Sequence, residues 1–195
     1  MQEFISALRH IGQVAASEAE RSLGRLLTTK VQLPPPNVSL LESGELRMAL
    51  GQDEDNEATH TVCQGFIGRG ISGEALLTLR DVRYDALAHL ARSGAPKSDA
   101  ERTEALLDVA NMLIGACVHS LAAQLELPFS QSHPALLEKD WLTQRSAART
   151  NADNLKLLAL EMNITIAEYA IDDDLLVVFS ENSIPTLRQL TRYLV

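Results

Sequence analysis

The stretch ERTEALLDVANMLIGACVHSLAAQL, residues 101–125, decides the fold. Leu106, Leu107, Ala110, Leu113, Ile114, Cys117, Leu121 and Leu125 recur at the spacing of one side of an α-helix, which commits that side to a core. The other side is polar and then small. Glu104, Asp108 and Asn111 stand at i, i+4 and i+7, within an arc of about 60°, and Gly115 and Ala122 continue the stripe. A helix pinned by its apolar side would present a carboxylate and a carboxamide outward, with no bulky neighbour in the way of another surface. The plain alternative is a solvated face, the usual setting of exposed Asp and Asn. Asn111 in mid-helix costs on the order of 0.5 kcal/mol against alanine. Tertiary context can override so small a term, so spacing alone leaves both readings open.

Around this helix, 195 residues with 46% hydrophobic content suit a folded chain with a substantial core. A net charge of −9 and the lack of a Lys/Arg cluster argue against a nucleic-acid partner. The N-terminus MQEFISALRHIGQVAAS has no basic start and no unbroken apolar segment, and no run approaches a membrane span, so the expected location is cytoplasmic, with no membrane partner. Cys63 and Cys117 lie far apart within apolar segments and are expected to be buried thiols. His60, His89, His119 and His133 share no ligand spacing, so no metal is expected. There is no P-loop, dinucleotide-binding glycine pattern or nucleophile elbow.

Outward from the long helix the chain reads twice in the same order. Glu3 to Leu27 has a helical stripe of Leu8, Ala15, Ala16, Ala19, Leu23 and Leu27. TTKVQLPPPNVSLLESG (28–44) cannot continue that helix and predicts a short strand followed by a turn, while residues 37–57 remain unassigned. THTVCQGFIGRGISGEALLTL (59–79) predicts a hairpin about Gly68, Gly70 and Gly73. A helix follows with the stripe Val82, Ala86, Leu87, Leu90 and Ala91 and a stop at Gly94, and GAPKSDAE resembles a linker. In the second half the long helix is expected over about 99–126, ended by SQSHP. Two strands around IDDD and a closing helix in ENSIPTLRQLTRYLV come after it.

The segments 6–36 and 104–134 superpose without a gap, pairing Ala7 with Ala105, Leu8 with Leu106, Ser22 with Ser120, Leu23 with Leu121, Leu27 with Leu125 and Pro36 with Pro134. These are mostly core positions that any two amphipathic helices partly share. The matched polar spacing is more telling, since Glu104, Asp108, Asn111 and Pro134 fall on Ser6, His10, Gln13 and Pro36. This order suggests an internal duplication.

An acid, an Asn three residues on, a polar residue four before the acid and a Pro 23 after the Asn together resemble the CheC/CheX family of chemotaxis phosphatases. GRGISGEALLTLRDVRYDALAHL (68–90) and LLVVFSENSIPTLRQLTRYL (175–194) are similar to that family's glycine turn, following helix and final strand and helix, so the likeness covers nearly the whole chain. Asp108 stands where the family has Glu, and the first copy has lost both the acid and the Asn. The resemblance implies a single α+β domain of two repeats, 1–95 and 98–195, with pseudo-two-fold symmetry. Two long helices would lie side by side, with two further helices, around a shared and mainly antiparallel sheet. Gly12, Ala15, Ala16 and Ala19 would allow the long helices to approach closely.

The function implied is hydrolysis of the aspartyl phosphate on a CheY-like receiver domain. Asn111 would orient the attacking water, Asp108 would pair with the receiver's lysine, and Glu104 and Gly115 would line the contact. Ser6, His10 and Gln13 would form a degenerate second site. The chain would need no cofactor of its own, because the receiver supplies Mg²⁺. The alternative is a non-catalytic module of the same fold that binds a receiver or a CheD-like deamidase. A second copy of the chain is a further candidate partner.

Overall fold

The computed structural model describes residues 2–41, 45, 59–79, 84–91, 95–138 and 157–192. The predicted stripe position Val82, the Gly94 stop and most of the unassigned 37–57 segment lie outside them. In chain order the elements are α1 (Gln2–Leu27), β1 (Asn37–Leu41), β2 (His60–Gly68), β3 (Ile71–Leu79), α2 (Tyr84–Leu90), α3 (Asp99–Gln124), β4 (Ser130–Gln131), β5 (Ala135–Leu136), β6 (Leu157–Ile166), β7 (Ile171–Phe179) and α4 (Ile184–Thr191). Single 3-10 turns cover Ala167–Tyr169 and Glu181–Ser183.

The strands form one antiparallel sheet in the order β1-β6-β7-β3-β2-β4, with β5 also paired to β2. The two predicted hairpins, β2–β3 and β6–β7, stand side by side and join through β3 and β7. The short strands that follow the long helices cross over. β1 pairs with β6, whereas β4 and β5 pair with β2. Each long helix thus leads into a strand that edges the hairpin of the other half, and the order from either edge to the centre is the same.

α1 packs along α3 on one face of the sheet. Leu8 and Leu23 from α1, Leu106, Leu113, Ile114 and Leu121 from α3, and Phe179 from β7 are fully buried there. Strand alternation sends Val62, Phe66, Ala75, Leu77, Leu160, Ile164 and Val177 to the same side. A smaller cluster of Leu41, Leu76, Ala159, Leu176 and Val178 covers the opposite face. α3 alone among the described helices is long and apolar enough to cross a membrane, contrary to the sequence expectation, and the greater part of its apolar length is buried in the protein.

Local chemistry sets the helix ends. Ser98 caps α3 by accepting from the Glu101 amide at 3.2 Å, and Glu101 Oε2 accepts from the Lys97 amide at 2.6 Å. α3 stops at Gln124, before SQSHP is reached, because Glu126 turns left-handed (φ 55°). Leu127 N then donates to Ala122 O and Glu126 N to Ala123 O, closing the helix with the two bonds of a Schellman motif. At the end of α1, Thr28 is likewise left-handed (φ 56°), and it is the residue that the ungapped superposition pairs with Glu126.

Several expectations are corrected. The strand expected within 28–44 is β1, but it carries no proline: it begins directly after Pro36 and runs into the segment left unassigned, with Gln32 making one isolated bridge to Thr165 before it. The β6–β7 turn falls at Ala167–Ala170, not at IDDD, because Asn163 Nδ2 donates to Asp172 and Asp174 and Thr165 Oγ1 to Asp172, holding the aspartates in the ladder. Gly12 does not face α3. A Cβ there would meet Pro36 Cγ at 2.7 Å and Leu160 Cδ2 at 3.2 Å, so its smallness lets α1 settle on the proline segment and sheet. Cys63 is half-buried, on the sheet face away from the helices, and only Cys117 is a core thiol.

Two predictions follow from this packing. A Cβ on Gly73 would overlap the Val178 carbonyl oxygen and the Phe66 ring, at the strand pair that joins the hairpins. Gly73→Ala should therefore destabilise by about 3 kcal/mol, read as a lower urea midpoint; wild-type stability would show that the pair can open at little cost. Burial raises the Cys117 thiol from 9.0 to about 12. Its neutral form is then favoured by the folded state, and that stability is complete below pH 9 and declines from pH 9 towards 12 as the unfolded thiol ionises. Cys117 should escape alkylation at pH 8 until denaturant is added, and rapid native labelling would contradict its burial.

Candidate functional site

The outer face of α3 carries the predicted stripe. Glu104, Asp108 and Asn111 are exposed, and Gly115 is half-buried with nothing among the described residues within 4 Å of an added Cβ, so no described residue crowds the surface beside the polar groups. Ala122 does not belong to this face. The chain after α3 folds back on it, Leu127 N donating to its carbonyl at 3.1 Å, and Ala122 is buried. Ser6, His10 and Gln13 are exposed on α1, so the second stripe lies on the neighbouring helix. Among the described residues no three His, Cys, Asp or Glu side chains are grouped to hold a metal ion.

Asn111 is more than a solvated side chain. Its Oδ1 accepts a hydrogen bond from Nε2 of Gln64 at 3.0 Å, and the same Nε2 donates to the Ser132 carbonyl at 2.8 Å. Gln64 sits in β2 between Val62 and Phe66 on the helix-facing side and is 3% exposed. Its amide orientation follows from chemistry, since the reverse assignment would set two oxygens against each other at Ser132. Among the described residues Gln64 Oε1 has no hydrogen-bond partner.

A bulge in the edge strand brings the Ser132 carbonyl to this place. β4 pairs Gln131 with Phe66 and β5 pairs Ala135 with Cys63. Two residues of β2, Gln64 and Gly65, therefore lie opposite three, Ser132, His133 and Pro134. Proline, lacking a donor, is tolerated at such an interruption. Gly65 closes the bulge from both sides, its N–H donating to Ser132 Oγ at 3.0 Å and its carbonyl accepting from Ser132 N at 2.8 Å. The opposite edge is interrupted alike, where four residues that include Pro34, Pro35 and Pro36 separate Gln32 from Asn37 while three separate their partners Thr165 and Glu161.

With one lone pair of Oδ1 engaged by Gln64, Asn111 keeps a second acceptor position and two N–H donors. That is enough to hold one water from two directions without a change of protonation. Asp108, one turn earlier on the same exposed face, offers a carboxylate to an incoming cation. Sequence reasoning located the two helices' polar residues but missed Gln64 and Ser132. The available signal was a glutamine at a buried-parity position of an otherwise apolar strand, between Val62 and Phe66.

No protein-family model matches the sequence, and no curated protein resembles it detectably. Solved structures do. The chain is similar to FliY of Thermotoga maritima, with a TM-score of 0.65 at 16% identity over 98% of this chain and 96% of that one. FliM of H. pylori, in a complex with FliG, gives a TM-score of 0.65 at 13% identity over 97% and 99% of the two chains. The chemotaxis protein CheX of Vibrio vulnificus gives 0.51 at 13% identity over 88% and 99%. At such identities the likeness is one of architecture, and it identifies the fold of this chain as the CheC-like fold that FliY, FliM and CheX share.

Proposed function

We propose that the chain accelerates hydrolysis of the aspartyl phosphate on a CheY-like receiver domain, in the cytoplasm and in chemotaxis signalling. The observation that carries this reading is the Asn111 carboxamide, held from beneath by a buried glutamine on a helix face that no other described residue crowds. A receiver already supplies Mg²⁺, a lysine and the phosphorylated carboxylate. It lacks a water held in line with the phosphorus and the leaving oxygen. Phosphoryl transfer is governed by positioning and charge stabilisation, so a carboxamide that fixes one water is a sufficient contribution. Asp108 would pair with the receiver's lysine, and Glu104 and Gly115 would border the contact. Asp is one methylene shorter than Glu, so this docking requires a closer approach of α3.

The stripe on α1 contributes less in this reading. Gln13 keeps a carboxamide, but His10 supplies no permanent negative charge for a lysine. A second reading, of a binding module without catalysis, is favoured by the better superposition on FliM and FliY than on CheX and by the FliM structure with FliG bound. A receiver, a CheD-like deamidase or a second copy of the chain would then be the partner.

The lifetime of a phosphorylated receiver, followed with and without the chain at saturating concentration, separates the two. The enzyme reading predicts a shorter lifetime, and an unchanged lifetime in the bound state leaves only the binding module. Asn111→Ala should lose at least about tenfold of the acceleration while binding persists. Asp108→Ala should instead raise the dissociation constant roughly tenfold to a hundredfold, and Asp108→Glu should keep or improve activity. Gln13→Ala should change little. A damaging Gln13→Ala beside a silent Asn111→Ala would move the working site to α1.

A further inference from the structure

We infer that Gln64 is the positioning residue of the site, locking the Asn111 carboxamide so that its N–H₂ faces outward and one lone pair of its oxygen is directed at the sheet edge. The inference deepens the phosphatase reading and rests on it for its functional consequence. Nε2 has two hydrogens, and both are used, one on Asn111 Oδ1 at 3.0 Å and one on the Ser132 carbonyl at 2.8 Å. Gln64 is therefore fixed by the bulge, and Asn111 is fixed by Gln64. An exposed asparagine left alone on a helix samples several χ1 rotamers, and any one water it binds moves with it. Tethering to a buried group removes that freedom before a partner arrives, which is how preorganised sites gain rate.

A glutamine is an expensive way to fill this position if filling were its only task. Its Oε1 is buried and, among the described residues, unpartnered, a state that native proteins seldom keep without a reason. The other half of the sheet shows the apolar solution. Carried onto the strands, the superposition that pairs Asn111 with Gln13 pairs Gln64 with Met162, which is 2% exposed on the helix-facing side of β6. The polar anchor occurs beneath the helix that carries Asp108 and Asn111, and a methionine takes its place beneath the helix that carries His10 and Gln13.

The test uses the full chain and Gln64→Met, which reproduces the β6 solution at similar volume. Three-bond couplings from Asn111 Cγ to its backbone nitrogen and carbonyl carbon report χ1 averaging, thermal melts report stability, and a phosphorylated receiver reports turnover. The expected wild type has one Asn111 rotamer. Gln64→Met should average those couplings, melt at or above the wild-type temperature, and lower kcat roughly tenfold or more with KM within about twofold. An averaged Asn111 in the wild type, or an Asn111 that stays locked in Gln64→Met, overturns the positioning role whatever the kinetics. A variant that melts well below wild type makes Gln64 a structural residue and overturns it too. If the wild type does not accelerate dephosphorylation while the couplings still respond to Gln64→Met, the positioning stands and the phosphatase reading falls.

Discussion

The antiparallel pairing of β3 with β7, from Gly73 opposite Phe179 to Thr78 opposite Asp174, is the constraint on which the rest of the structure depends. It joins two hairpins into one sheet, and its register decides which side chains face the helices. Residues 75 and 77 of β3 and 175, 177 and 179 of β7 point to the helix layer, while 76, 176 and 178 point away. A shift by one residue would turn one strand over against the other, placing its core side chains on the outer face. Gly73 sits at one end of this ladder because β7 and the Phe66 ring leave no room for a side chain there.

From that pairing the site is assembled indirectly. The joined hairpins leave β6 and β2 as the next strands out, and the segments that follow α1 and α3 cover them from the opposite half. Both segments carry proline and neither pairs without interruption. On the β2 side the interruption turns the Ser132 carbonyl towards Gln64, and Gln64 in turn reaches Asn111. The proline recognised in the sequence as part of a spaced pattern is thus a bulge residue beside the asparagine's anchor. Its distance along the chain from Asn111 measures the length of helix and turn needed to bring the edge strand back under α3.

Much of the fold was legible in the residues. The apolar period of α1 and α3 located both helices, and the glycines of GRGISG located the β2–β3 turn, where Gly70 adopts φ 71°. The crossing of the edge strands was not legible, because a strand of two residues, such as β4 or β5, carries too little pattern to name its partner. The IDDD misreading has a similar cause. Aspartates usually mark turns, but here cross-strand bonds from Asn163 and Thr165 keep them in β7, and the left-handed Ala170 makes the turn instead. Of the site, the exposed stripe was readable from helical period and its tether was not, since a bond between residues 64 and 111 depends on register in three dimensions. Ala122 was misplaced because period alone cannot foresee that the chain returns over its own helix.

The central claim is that the face of α3 bearing Asn111 is where a receiver docks. Amide chemical-shift mapping of the full chain, titrated with a receiver domain carrying a beryllofluoride mimic of the phosphoryl group, tests it most directly. The account predicts that the largest shifts fall on Glu104, Asp108, Asn111 and Gly115 and reach Gln64 and Ser132 behind them. Shifts concentrated on Ser6, His10 and Gln13, or on the sheet face around Leu76 and Val178, would contradict it.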